Sequence, residues 1–220
     1  MTHRNVKEKN ILTLEDPVEI QLEGINQVPV HLKAGLSFAT LLRAFLRQDP
    51  DIIMVGEIRD LETAKIVIQA AQTGHLVLST LHTNSSAEAL TRLVSMGIPH
   101  YSLVEVLRLI VAQRLIRKLC ALCKQIDTQS FFLKEQKHKN KVYRASGCPS
   151  CRQGYSGRIA LFECFPLNEK LLQLALKTKN TEVLVKAAQK EGFKTLREMG
   201  LEKIFQGETS FAELARVLTK

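Results

Sequence analysis

The chain has 220 residues, 45% of them apolar and 24% charged, with a formal net charge of +9. That composition excludes wholesale disorder and a collagen-like fold, and suits one ordinary domain with or without a small appendage. No window approaches the roughly eighteen uninterrupted apolar residues of a membrane span, and the polar residues 1–10 carry no secretory core, so a cytoplasmic protein is expected.

Residues 11–14, 52–55 and 76–81 are three short apolar runs of strand type. Between them, Phe38, Leu41, Leu42, Phe45 and Leu46 share one helical face, as do Leu61, Ala64, Ile68 and Ala71. Runs apolar on both faces, alternating with helices, predict a parallel sheet covered on both sides. Val28, Val30 and Leu32 alternate and predict a further strand near Pro29. Ser85 reads as the N-cap of a helix running to about Met96, stopped by Gly97 and Pro99. The amphipathic stretch 101–119 reads as a long helix leading into a cysteine pair, and residues 124–147 as a basic loop. A strand is expected over 158–165, then helices over 167–176, 181–191, 195–205 and 211–218. Two of these carry capping-box spacing, Thr195-x-x-Glu198 and Ser210-x-x-Glu213.

The chemistry concentrates at the ends of the strand runs. Residues 52–55 lead through Gly56 to Glu57, and an acid at the carboxyl edge of a parallel strand can hold a magnesium water shell or polarise a water. Residues 11–14 lead likewise to Glu15 and Asp16. Paired acids at such an edge divide into a metal-side group and a water-orienting base, although Asp16 before Pro17 is better read as a turn residue. His75 and His82 bracket the third run, where imidazoles can sense a phosphate; singly, each is more often structural.

Cys120, Cys123, Cys148 and Cys151 form two Cys-x2-Cys pairs separated by 24 residues, the pattern of a structural zinc site. Cys164, in an apolar run, reads as a buried packing residue. Charge divides unevenly along the chain. Residues 1–116 carry 11 Lys and Arg against 12 Asp and Glu, whereas 117–220 carry 20 against 10. The excess is densest over 117–158, which suits nucleic acid, anionic lipid, or simply a solvated face around a metal site.

Three of these segments, taken together, resemble a known family. Residues 11–19, ILTLEDPVE, resemble the aspartate box of the type II secretion and type IV pilus assembly ATPases. Residues 46–60, LRQDPDIIMVGEIRD, resemble their Walker B segment, and residues 73–84, TGHLVLSTLHTN, their histidine box. The cysteine quartet is similar to the zinc module of the secretion and pilus extension members (general secretion pathway protein E, pilus biogenesis protein B). The resemblance implies a partial RecA-like α/β core over 1–116, a tetracysteine zinc module over 117–158, and a strand and helical region over 159–220. It also implies that Glu57 acts on Mg²⁺ and water and that Glu15 helps activate water. His75, His82 and Arg59 would then stand beside the phosphates or at a subunit boundary. ATP, Mg²⁺ and structural Zn²⁺ are the implied ligands. A homo-hexamer at the inner membrane, working on a membrane platform protein, is the implied assembly.

One expected part is missing. The family's P-loop, Gly-x-x-x-x-Gly-Lys-Ser/Thr, should precede the aspartate box, yet only ten residues precede Ile11 and none of the 11 glycines is followed by lysine. P-loop amides and lysine carry most phosphate binding. The expectation is therefore a fragment that does not turn over ATP by itself and whose sheet has an exposed edge. The competing readings are a zinc-ribbon nucleic-acid-binding protein, for which only Phe131, Phe132 and Tyr143 offer stacking surfaces among the basic residues, and a non-functional remnant.

Overall fold

A computed structural model describes residues 8–128, 141–178 and 180–218. The chain divides into two compact units. The first runs to Arg108 and takes back Leu167–Thr181; the second holds Leu109–Pro166 and the chain from Glu182 onward.

The first unit is built on four parallel strands: β1 (Ile11–Glu15), β2 (Asn26–Pro29), β3 (Ile52–Val55) and β4 (Leu76–Ser79), in the order β2-β1-β3-β4. Helix α1 (Phe38–Phe45) is capped by Ser37 and α2 (Leu61–Gln72) by Asp60, whose carboxylate accepts from the Thr63 amide at 2.7 Å. Both present an apolar stripe to one face of the sheet, where Leu12, Leu14, Ile53 and Val55 meet Phe38, Leu42, Phe45, Ile66, Val67 and Ala70. On the opposite face Ile11 and Ile52 meet Ile25 and Leu22. The expected cover on both sides fails at β4, where Leu76 and Leu78 remain 44% and 42% exposed, because β4 is the last strand of the sheet among the described residues. Helix α3 (Ser86–Ser95) starts at Ser85, whose hydroxyl accepts from the Glu88 amide. Next, α4 (His100–Val106) packs on α2 and on α5 (Glu169–Lys177).

Of the long helix expected over 101–119, only the first part forms, as α4, and from Leu109 the second unit takes its place. After α4 the chain turns extended and forms β5 (Leu109–Leu119), antiparallel to β8 (Tyr155–Pro166), with Leu109 opposite Pro166 and Leu119 opposite Tyr155. Ala112 and Ile116 are four residues apart and fit either period, so only the partner strand forty residues later decides the conformation. The inner face of this ribbon, with Ala112, Ile116 and Leu161, packs on α7 (Leu196–Phe205) and α8 (Phe211–Leu218), following α6 (Thr181–Gln189). Strand alternation also corrects the reading of Cys164: Phe165 points inward and is fully buried, so Cys164 faces outward and is exposed. Between β5 and β8 lie the short strands β6 (Gln125–Ile126) and β7 (Tyr143–Arg144), paired with each other. Phe131 and Phe132 lie outside the described residues.

The capping boxes differ. At Thr195 both reciprocal hydrogen bonds form. At Ser210 only the hydroxyl-to-Glu213 amide bond forms, because the Glu213 carboxylate turns instead to Arg117 and Arg216.

Candidate functional site

Four apolar residues of β3 give way to Gly56, and the missing side chain matters there. Its N–H donates to Leu14 O at 2.7 Å, and a Cβ would stand 3.0 Å from that oxygen. The close approach delivers Glu57 at the carboxyl edge of the sheet, while Ile58 N–H donates to Thr80 O at 3.0 Å and brings the exit of β4 alongside.

The Glu57 side chain is only 10% exposed, and both of its oxygens are engaged. Oε1 takes the Arg59 guanidinium and Oε2 lies 2.8 Å from His82 Nε2. Arg59 also reaches Asp16 Oδ2 at 3.8 Å, so one cation bridges the ends of β1 and β3. The hydrogen bond from Arg59, aided by His82 and working against burial, holds the Glu57 carboxyl below the ordinary glutamate range. The same contact raises the pKa of Arg59. An ionised carboxylate at this edge can orient a water or a metal's water shell once one of its two partners lets go.

Glu15 lies on the same edge but is held differently. Its Oε1 accepts from Thr13 Oγ1 at 2.6 Å and from Gln27 Nε2 at 2.9 Å. Within β1 it shares a face with Thr13, opposite the Leu12 and Leu14 face that packs on the helices. Among the described residues no hydrogen bond or ion pair joins the two glutamates. His75 stands apart from the Glu57 cluster. It precedes β4, with Nδ1 2.9 Å from Ala70 O and 3.0 Å from Thr73 Oγ1, so roughly 13 Å of strand separates it from the end that carries His82. Asp16 is the member that the sequence assigned to a turn; the available signal was the arginine two residues after Glu57. Asp16, Ser37, Phe38, Arg59, Asp60 and Thr63 line a cavity of about 210 Å³ beside this cluster.

In the second unit Cys120, Cys123, Cys148 and Cys151 converge. Their sulfurs all lie within 4.8 Å of one another, with separations of 3.6 Å (Cys148 to Cys151), 3.7 Å (Cys123 to Cys151) and 4.0 Å (Cys120 to Cys148). A tetrahedral zinc with Zn–S bonds of about 2.3 Å sets sulfurs about 3.8 Å apart, so the quartet fits a bound metal. Gly147 and Gly154, both at positive φ, form the turns. Burial pushes the Cys123 thiol up to about 12. For Cys151 burial also acts upward, but the Cys148 amide and neighbouring thiols outweigh it and bring the group to about 7. The turn after α7 clasps the quartet: Lys124 Nζ donates to Gly207 O at 2.8 Å, and Leu119 N–H to Glu208 O at 2.8 Å.

Residues 2–216 match the family model described as "Type II/IV secretion system protein". The chain belongs to that family. Among curated members it is 50% identical over 220 residues to the type IV pilus assembly ATPase PilB of Pseudomonas aeruginosa, covering 97% of this chain and 39% of that protein. It is 43% identical over 219 residues to the type II secretion system ATPase E of Vibrio cholerae, covering 97% and 43%. The chain thus spans about two-fifths of the length of these secretion and pilus assembly ATPases. Solved structures agree in fold. The pilus retraction motor PilT with bound ADP superposes with a TM-score of 0.68 at 28% identity, over 94% of this chain and 52% of that one. The ATPase DotB of Legionella pneumophila gives 0.63 at 25%, over 94% and 51%. Among the described residues no helix is long and apolar enough to cross a membrane.

Proposed function

We propose that this chain is part of a cytoplasmic motor ATPase that couples ATP hydrolysis to pilus or pseudopilus assembly and protein export. The observation that carries the reading is the sequestered Glu57 carboxylate, flanked by Arg59 and His82 at the carboxyl edge of a parallel sheet, in a chain half-identical to a pilus assembly ATPase. In this reading the first unit is half of a RecA-like core. Glu57 acts on the Mg²⁺ water shell and the attacking water, Glu15 assists from the neighbouring strand, and Arg59 and His82 respond to the γ-phosphate. His75, held by Ala70 and Thr73, serves a subunit boundary in a hexamer rather than the Glu57 cluster. Bound Mg²⁺ would neutralise phosphate charge and present water; this chain's part is to hold Glu57 ionised and aimed. Residues 117–158 hold structural zinc through Cys120, Cys123, Cys148 and Cys151. The working assembly sits peripherally at the inner membrane, against a platform protein.

The test compares phosphate release by this chain with release by a longer polypeptide joining it to a P-loop segment. The chain alone is expected to release none. The longer protein is expected to hydrolyse ATP and to lose at least about a hundredfold with Glu57→Gln, the scale on which removing one catalytic proton-transfer group acts. Hydrolysis by the chain alone that Glu57→Gln abolishes would overturn its inactivity. Undiminished turnover by the substituted longer protein would overturn the role of Glu57.

A further inference from the structure

We propose that Asp16 is a positioning residue for Glu57: it draws the Arg59 guanidinium off Glu57 Oε1 and holds it in the cavity beside the ends of β1 and β2, which leaves that oxygen open to a water. This rests on the reading of Glu57 as the carboxylate that acts on water, and says how that carboxylate is released.

The strand order β2-β1-β3-β4 sets Glu57, after β3, between two neighbours. His82, beyond the end of β4, stands on one side and lies at Oε2; Asp16, directly after β1, stands on the other. Arg59 pairs with Oε1 and also reaches Asp16. While it stays there, Glu57 is ionised but covered. Once it leaves toward Asp16, His82 still steadies Oε2 and Oε1 can accept from a water.

Arg59 has both the freedom and the room to move. Its side chain is 57% exposed, and among the described residues its polar partners are the carboxylates of Glu57 and Asp16. The 3.8 Å to Asp16 Oδ2 is an ion-pair separation too long for a hydrogen bond, and a shift of about 1 Å closes it. The cavity of about 210 Å³ far exceeds the ~10–15 Å³ that one water needs, so the guanidinium enters by displacing solvent alone. Three acids line that cavity, and two are already taken. Asp60 accepts from the Thr63 N–H at 2.7 Å and from Thr63 Oγ1 at 3.0 Å, and Glu62 holds Arg43 at 2.7 Å. The Asp16 carboxylate has no partner but Arg59 among the described residues, so it is the acid with acceptor capacity to spare.

Solvent exchange of the Arg59 guanidinium protons, followed by nitrogen NMR of the chain and assigned with Arg59→Lys, tests the transfer without nucleotide. Glu57→Ala is expected to leave these protons protected, because Arg59 passes to Asp16; adding Asp16→Ala is expected to abolish the protection. Asp16→Asn, which keeps the side-chain shape, is expected to act in the same direction and serves if the alanine variant does not fold. Protection lost in Glu57→Ala alone, or kept after both carboxylates are removed, overturns the proposal. In the longer polypeptide carrying a P-loop, Asp16→Ala is expected to lower kcat about tenfold at unchanged KM for ATP, as the fraction of uncovered Glu57 falls. In an Arg59→Gln background the same substitution is expected to cost nothing further; an equal loss in both backgrounds overturns action through Arg59. Because the exchange measurement needs no turnover, a failure of the transfer and a failure of the catalytic reading of Glu57 are told apart.

Discussion

Glu213 has no exposed side-chain surface, yet it accepts from the Arg117 amide and guanidinium at 2.8 Å and from Arg216 at 2.7 and 2.8 Å. Burial alone would raise its pKa; the Arg216 and Arg117 hydrogen bonds overcome that and bring it to about 2. Its unfolded value is near ~4.3. The folded value is thus the lower one, and the linked stability is present above the unfolded pKa and lost as pH falls from about 4 toward 2. Glu213→Gln is expected to cost about 2–3 kcal/mol at neutral pH, since both guanidiniums are partly solvated, and to shrink the stability difference between neutral and acid urea denaturation. Nothing local in the sequence signals this pairing, because Arg117 and Glu213 are far apart in the chain. Gly200 is a second hidden constraint. A Cβ there would lie 2.2 Å from Leu214 Cδ1, so Gly200→Ala is expected to lower stability by about 1–3 kcal/mol in urea melts despite the higher helix propensity of alanine.

Elements were legible where local signals agreed. Ser85 and Thr195 each cap the helix that their spacing suggests, and the strand runs ending before Glu15 and Glu57 form neighbouring strands. Of the helix expected over 101–119, residues 101–106 form it as α4; the reading failed over 109–119, where helix-favouring Leu, Gln and Arg are overruled by pairing with β8. It failed at Cys164 for the same reason, since the face of a strand residue depends on its register. At the site, Glu57 and His82 were legible because each closely follows an apolar run. The bridge from Arg59 to Asp16 was not, because it depends on how two strand-end loops converge. The cysteine quartet was legible from spacing alone, and its clasp by the Gly207 turn gives it reach beyond the hairpins. With zinc held by the quartet as proposed, chelation is expected to expose four titratable thiols and to lower the melting temperature of the second unit; Cys151→Ser should expose the remaining three and lower it as well. The thiol titration and a calorimetric scan check this.

At the scale of the molecule, β4 ends the first sheet with Leu76 and Leu78 exposed and no further strand beside it among the described residues. Exposed apolar edge strands invite pairing between copies. The chain is expected to self-associate with rising concentration, and Leu76→Lys to shift light scattering toward the monomer at unchanged circular dichroism.

The first unit is also discontinuous: α4 packs on α5, yet the β5–β8 ribbon is spelled out between them. A ribosome adding ~5–20 residues per second therefore needs several seconds after releasing α4 before it delivers the helix that packs on it. Throughout that delay the nascent chain carries an open hydrophobic seam, which makes this stretch of translation the natural moment for a chaperone to engage it.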